Sequence, residues 1–189
     1  SRRLELLPCM GLGLELRAGA RGAEVLSVVE RFIGAQCGEL VEHLTREPEA
    51  LVVGLHPAAE DVSFSFEGGA LCLSAKTSTV GPGYHAFVCD LAHRLEPVLG
   101  APWSGPGDDE PIGDETGYFQ SGDRAALEAE LLRWVRGLCD VVAERVGEGA
   151  SGLFVSLPIV DQVRAPSCES MMTRVRAAVA VAPSRMRTL

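Results

Sequence analysis

The residues best suited to ligand chemistry form one short stretch, which begins at the only lysine of the chain. Lys76 stands among 17 basic residues, and the sequence that it opens, KTSTVGPG, is rich in hydroxyl groups and glycine. This stretch leads into a predicted helix, whose first N–H groups and dipole favour an anion such as phosphate or carboxylate. The candidate ligand-binding residues are Lys76, Thr77, Ser78, Thr79, Gly81, Gly83 and His85.

The same stretch also has a purely structural interpretation. A P-loop places its glycines before the lysine and a Ser or Thr directly after it, and this order is not met here. Pro82 also removes one backbone donor. The hydroxyls can instead bond local backbone, while the glycines meet unusual dihedral angles. The sequence is therefore compatible with two interpretations of this stretch, an anion-binding site and a turn without a ligand.

A second group of reactive side chains lies on the helix that follows. His85, Cys89 and His93 are four residues apart, so a neighbouring pair could share a zinc ion. All three could not, because the two histidines are about 12 Å apart along the helix axis. We therefore expect no metal, no cofactor and no catalytic residue here, and Cys89 should be a dispensable thiol on the flank of the helix. A third ligand from a distant segment would overturn this prediction.

Acidic residues are concentrated between Gly100 and Gly122, where glycine and proline predict a long surface loop. Their spacing does not fit an EF-hand calcium loop. An aromatic pair beside them could anchor a protein partner or cover the local core. The candidate protein-interaction residues are Asp108, Asp109, Glu110, Asp114, Glu115, Tyr118 and Phe119.

A β-hairpin gives the clearest structural pattern. Apolar residues alternate with serines on both sides of the Gly68-Gly69 turn, which pairs Phe66 with Leu71 and Phe64 with Leu73. The same register pairs Val62 with Ala75, so all these apolar side chains are predicted to share one face.

The other elements follow from hydrophobic periodicity. Apolar residues predict strands near 12–17 and 51–55, and helices over 23–45, over 83–99 and from a cap at Asp123. Residues 153–157 are typical of a strand, and residues 173–181 favour a strand over a helix. This order predicts an α+β fold, a mostly antiparallel sheet packed against about three amphipathic helices.

Composition limits the functions that the chain can have. Its 189 residues suit a single domain, and the start at Ser1 suggests a processed end or a fragment of a larger protein. No apolar run is long enough to span a bilayer. The net charge of −9 opposes binding to nucleic acid and favours a partner with a basic surface. Six cysteines without a C-x-x-C pair indicate a reducing cytoplasm.

Two functions remain after these exclusions. The absence of the familiar enzyme motifs favours a non-enzymatic interaction or regulatory module that binds another protein through the acidic loop. The alternative is a small-anion-binding domain or enzyme that uses the stretch from Lys76 to Gly83.

Overall fold

A computed structural model describes residues 11–106 and 113–147. It has an antiparallel sheet with helices packed against it, so the predicted α+β class is confirmed. Within the described residues the sheet has six strands in the order β2-β3-β4-β5-β1-β6. The elements are β1 (Gly13–Gly19), α1 (Val25–Cys37), β2 (His43–Arg46), β3 (Ala50–Gly54), β4 (Val62–Glu67), β5 (Ala70–Lys76), α2 (Pro82–Leu99), β6 (Gly113–Asp114), α3 (Tyr118–Ser121) and α4 (Arg124–Gly147).

The main core lies between one face of the sheet and helices α1 and α2. Side chains alternate across a strand, so every second residue of β1 and β5 points into this layer, while Glu15 and Ser74 on the other face are exposed. The core's apolar side chains are removed from water, which is the main favourable contribution to folding. Its fully buried members include Leu14, Leu51, Phe64, Leu71, Leu26, Ile33, Val88 and Leu91.

The predicted hairpin is confirmed. Strands β4 and β5 pair Phe66 with Leu71 and Phe64 with Leu73, and the same register continues to Ser63 and Ser74. The two turn glycines have φ values of 57° and 79°, a region that favours glycine over other residues. Phe64 is 1% exposed, whereas Phe66 is only partly buried at the edge of the core.

The helix predicted over 23–45 is too long. Helix α1 ends at Cys37, and His43–Arg46 forms the edge strand β2, which pairs with β3. Leu40, predicted to be buried on the helix, is 52% exposed. Leu44 still packs against the core, but from a strand. The spacing of the apolar residues over 38–45 is therefore compatible with either a helix or a strand.

The predicted surface loop over 100–122 is also partly wrong. Trp103 is buried and donates its indole N–H to the carbonyl oxygen of Ala92 over 2.9 Å. Further along, β6 pairs with β1, and the short helix α3 buries Phe119. These contacts fold both described parts of the segment onto the molecule.

Helix α2 runs close to its predicted bounds, and α4 begins after the predicted cap. Asp123 Oδ1 accepts hydrogen bonds from the amides of Ala125 and Ala126 at 2.9 and 3.0 Å. One side of α4 forms a second apolar cluster with the preceding elements, against which Trp134 packs. The buried members of this second cluster are Leu12, Ala86, Leu127 and Leu131.

Residues 153–157 and 173–181 lie outside the described residues. In the part of the chain that the structure does cover, no helix combines the length and apolar character of a transmembrane span.

Candidate functional site

The stretch after β5 and the segment after β6 meet at the start of β1. The amides of Thr77 and Ser78 both donate to the carbonyl oxygen of Leu12, at 3.0 and 3.1 Å. On the other side of β1, Leu14 pairs with Asp114. The sheet therefore brings together two segments that are almost 40 residues apart in the chain.

Four polar side chains, which we call the polar junction, fill the space between these segments: Thr77, His85, Asp114 and Thr116. His85 is 0% exposed, and its Nδ1 lies 2.7 Å from Thr77 Oγ1. Its Nε2 lies 3.0 Å from Thr116 Oγ1 and 3.2 Å from Asp114 Oδ1. Both ring nitrogens thus have partners, as expected for a buried imidazole.

Asp114 is the most heavily hydrogen-bonded member of the junction. Its Oδ1 accepts from the hydroxyl and the amide of Thr116 at 2.7 and 2.8 Å, and its Oδ2 accepts from the amide of Phe119 at 2.6 Å. Burial raises the pKa of Asp114, but the hydrogen bonds from His85, Phe119 and Thr116 outweigh it and lower this pKa to about 2. The carboxylate is therefore ionised, although its side chain is 1% exposed.

The hydroxyl, imidazole and carboxylate of Thr77, His85 and Asp114 follow the order of a hydrolytic triad. In the neutral imidazole, Nε2–H donates to the carboxylate and Nδ1 accepts from the hydroxyl. However, Thr77 is 0% exposed. Its amide and that of Ser78 already donate to Leu12, so neither can stabilise an oxyanion. The arrangement holds the stretch in place and does not expose a nucleophile.

Cys89 lies one turn after His85 and is fully buried. The prediction of a thiol on the helix flank is therefore wrong, because β6 and α3 cover this side of α2. Burial raises the pKa of the Cys89 thiol, and the carboxylates of Asp114 and Asp90 raise it further, so the free thiol is a poor nucleophile. Ligand atoms of His85, Cys89 and Asp114 all lie within 4.8 Å of one another.

His93 does not belong to this group. Its Nε2 lies 2.8 Å from the carbonyl oxygen of Phe119, and the two rings stack with centroids 4.0 Å apart. Phe119 thus covers the local core, the second of the two roles that the sequence left open for the aromatic pair. Tyr118 is only partly buried and packs against both apolar clusters.

Two hydroxyl groups next to the junction, and the hydroxyl of Tyr84, are buried without a hydrogen-bond partner among the described residues. Ser78 is 0% exposed and Thr79 is 6% exposed, and neither hydroxyl oxygen has a hydrogen bond to any described residue. A β-carbon at Gly11 would lie 3.0 Å from Ser78 Oγ and would clash with the side chain of Lys76. The side chains of Lys76 and Ser78 therefore both lie beside Gly11.

The predicted ligand-binding residues thus divide into two groups. Thr77 and His85 point into the polar junction and hold the stretch from Lys76 to Gly83 in place. Ser78 and Thr79 have hydroxyl groups without a hydrogen-bond partner among the described residues. Lys76 lies at the surface, where its Nζ is 3.0 Å from Glu60 Oε1. Gly81 has a φ of 116°, which a residue with a side chain rarely adopts.

Four of the seven predicted interaction residues lie in the described part of the chain. Asp108, Asp109 and Glu110 lie outside the described residues, and Asp114 is buried. Glu115 is exposed and accepts a hydrogen bond from the amide of Gly13 at 3.2 Å. An aspartate two residues before a threonine is typical of an Asx-turn, and this pattern could have separated Asp114 from its acidic neighbours.

A recess of about 710 Å³ lies at the other end of α2, between Gly19, Gly69 and Gly100. Its charged residues are Arg21 and Glu24. This recess is remote from the polar junction and contains no cluster of potential ligands among the described residues.

Comparison of the chain with protein families, with curated proteins and with solved structures finds no match.

Proposed function

We propose that the stretch from Lys76 to Gly83, with the first turn of α2, binds a small anion such as phosphate or a carboxylate. The observation that carries this proposal is the pair of buried hydroxyls on Ser78 and Thr79, which have no partner among the described residues. Leaving a buried hydroxyl unpaired costs about 1–3 kcal/mol, and an anion would accept hydrogen bonds from both.

The start of α2 adds backbone donors. The amides of Val80 and Gly81 donate to the carbonyl oxygen of Thr77. The amides of Gly83 and Tyr84 donate to no backbone acceptor in the described part of the chain. No side chain there caps this 18-residue helix, so its dipole and free donors favour a negative charge.

Arg124 lies beside this end of the helix, and Lys76 opens the stretch that leads into it. A β-carbon at Gly83 would lie 3.7 Å from Arg124 Nη2, which places this guanidinium beside the first turn. Lys76 pairs with Glu60 at the surface, and exposed ion pairs contribute only about 0–1 kcal/mol. An anion can therefore replace Glu60 as the partner of Lys76.

The test is calorimetric titration of the 189-residue chain with inorganic phosphate and with acetate, in the presence of EDTA. Lys76→Met should weaken binding roughly tenfold, equal to about 1.4 kcal/mol. Glu60→Gln should strengthen it, because a competing carboxylate is removed. Opposite effects of these two substitutions are a signature that a general loss of stability would not produce.

Replacement of both unused hydroxyls, by Ser78→Ala with Thr79→Val, should abolish binding. The matched control is Ser63→Ala with Ser65→Ala on the opposite face of the sheet, which should bind as the unaltered chain does. A ligand at 100 times its dissociation constant also raises stability by about 2.7 kcal/mol, which thermal unfolding detects. Absence of binding and of any thermal shift with both anions would refute the proposal.

A further inference from the structure

We infer that His85, Cys89 and Asp114 bind a divalent transition-metal ion of the zinc class. These residues supply a nitrogen, a sulfur and an oxygen ligand, and all three ligand atoms lie within 4.8 Å of one another. This site uses none of the groups proposed to bind the anion, which are the Lys76 ammonium, the Ser78 and Thr79 hydroxyls and the free amides of Gly83 and Tyr84.

The distances suit a tetrahedral ion. Zinc bonds of about 2.0–2.1 Å to nitrogen and oxygen give a ligand-to-ligand distance of about 3.3 Å. His85 Nε2 lies 3.2 Å from Asp114 Oδ1. Cys89 is one helical turn from His85, so its sulfur approaches the same point from the same side of α2. The sulfur, whose bond to zinc is about 2.3 Å, lies within 4.8 Å of the other two ligand atoms.

Neighbouring hydrogen bonds orient the side chains of His85 and Asp114 for binding to an ion. With Nε2 bound to an ion, the imidazole proton lies on Nδ1, which donates to Thr77 Oγ1 at 2.7 Å, while the Thr77 hydroxyl donates to the carbonyl oxygen of Leu12 at 3.3 Å. This contact directs Nε2 at Asp114. The amide of Phe119 holds Asp114 Oδ2 at 2.6 Å and leaves Oδ1 towards the imidazole. Such outer contacts fix ligand orientation in metal sites and strongly affect affinity. Thr116 Oγ1, within 3.0 Å of both atoms, supplies a further oxygen or the support for a bound water.

Charge balance favours an ion in this place. A thiolate and a carboxylate together neutralise a divalent cation, so the occupied site carries no net charge in a buried environment. The mixed nitrogen, sulfur and oxygen ligands select zinc or cobalt over magnesium and calcium, which prefer oxygen alone. All three residues have buried side chains, so we expect the ion to enter as the chain folds.

The test begins with the unaltered 189-residue chain, unfolded in guanidinium with EDTA and a reducing agent. After removal of the chelator, the chain is refolded with one equivalent of Zn²⁺ or Co²⁺ and desalted. Metal analysis should give about one ion per chain. The cobalt form should absorb in the near ultraviolet through thiolate-to-metal charge transfer.

Substitution then assigns the ligands. Cys89→Ser should remove the charge-transfer band and lower metal affinity at least tenfold, and His85→Gln should lower affinity similarly. Cys37→Ser is the matched control, because Cys37 is also a buried helical cysteine but lies on α1 outside the cluster. If the refolded, unaltered chain keeps less than about a tenth of an equivalent, the inference is wrong. A cobalt band that survives in Cys89→Ser would overturn it as well.

Discussion

Helix α2 has buried residues on two sides, and they are buried by different means. Towards the sheet, Val88, Leu91 and Leu95 pack in an apolar layer whose stabilisation depends on buried area and is not directional. Towards β6 and α3, His85 enters the polar junction, in which each group needs a partner at a defined distance and angle. An apolar layer tolerates small shifts, whereas a buried polar network loses a large part of its energy when one partner is lost.

Truncation within the apolar layer should give the largest loss of stability. Phe64→Ala should lower the free energy of unfolding by about 3–5 kcal/mol, because it removes buried apolar surface and leaves a cavity. Denaturant unfolding followed by circular dichroism measures this change. Ser63→Ala, on the opposite face of the same strand, should change stability by less than about 0.5 kcal/mol. Similar losses for both substitutions would contradict the observed register.

Replacing one carboxylate oxygen of the polar junction by an amide nitrogen should give a smaller but still large loss of stability. Asp114→Asn places an amide where Oδ1 and Oδ2 accept four hydrogen bonds, and it should cost about 2–3 kcal/mol. Unfolding is measured in EDTA, so that any metal bound by the chain does not contribute. The neighbouring substitution Glu115→Gln is the control and should cost less than about 0.5 kcal/mol. Equal effects would show that the junction contributes nothing beyond surface charge.

The smallest expected change in stability concerns the backbone conformation of the turn between β4 and β5. Gly69 has a φ of 79°, and a β-carbon there would meet no atom within 4 Å, so Gly69→Ala tests conformation without steric overlap. This substitution should lower the free energy of unfolding by about 1 kcal/mol. Gly34 of α1 is equally free of contacts but helical, so Gly34→Ala should stabilise by up to about 1 kcal/mol. Thermal unfolding of the two variants should therefore shift in opposite directions.

The sequence predicted the apolar layer well because its signals are local. Alternation around Gly68-Gly69 determined the register of β4 and β5, and periodicity gave α2 almost to the residue. Hydrophobic periodicity gave a wrong prediction where the spacing of apolar residues is compatible with both a helix and a strand. Val41 and Leu44 continue the periodicity of α1, yet they contact the core from beyond its end at Cys37.

The polar junction could not be predicted from the sequence, because its members meet only through tertiary structure. The sequence places His85 on the same helix as Cys89, but neither periodicity nor spacing shows that Asp114, 29 residues later, contacts it. Asp114 was grouped with its acidic neighbours by composition, which does not distinguish a solvated carboxylate from a buried one. The two-residue strand β6 that positions Asp114 is too short to leave a pattern.

The positions of the two tryptophans give the molecule separate optical reporters. Trp103 is buried in the main core against α2, and Trp134, a residue of α4, packs against the second cluster. The chain has two tryptophans in all, so replacing either one by phenylalanine leaves a single fluorophore in a known environment. Emission from each variant would then show whether the sheet and α4 unfold in one step or in two. Loss of both signals at the same denaturant concentration would mean that the two clusters form one cooperative unit.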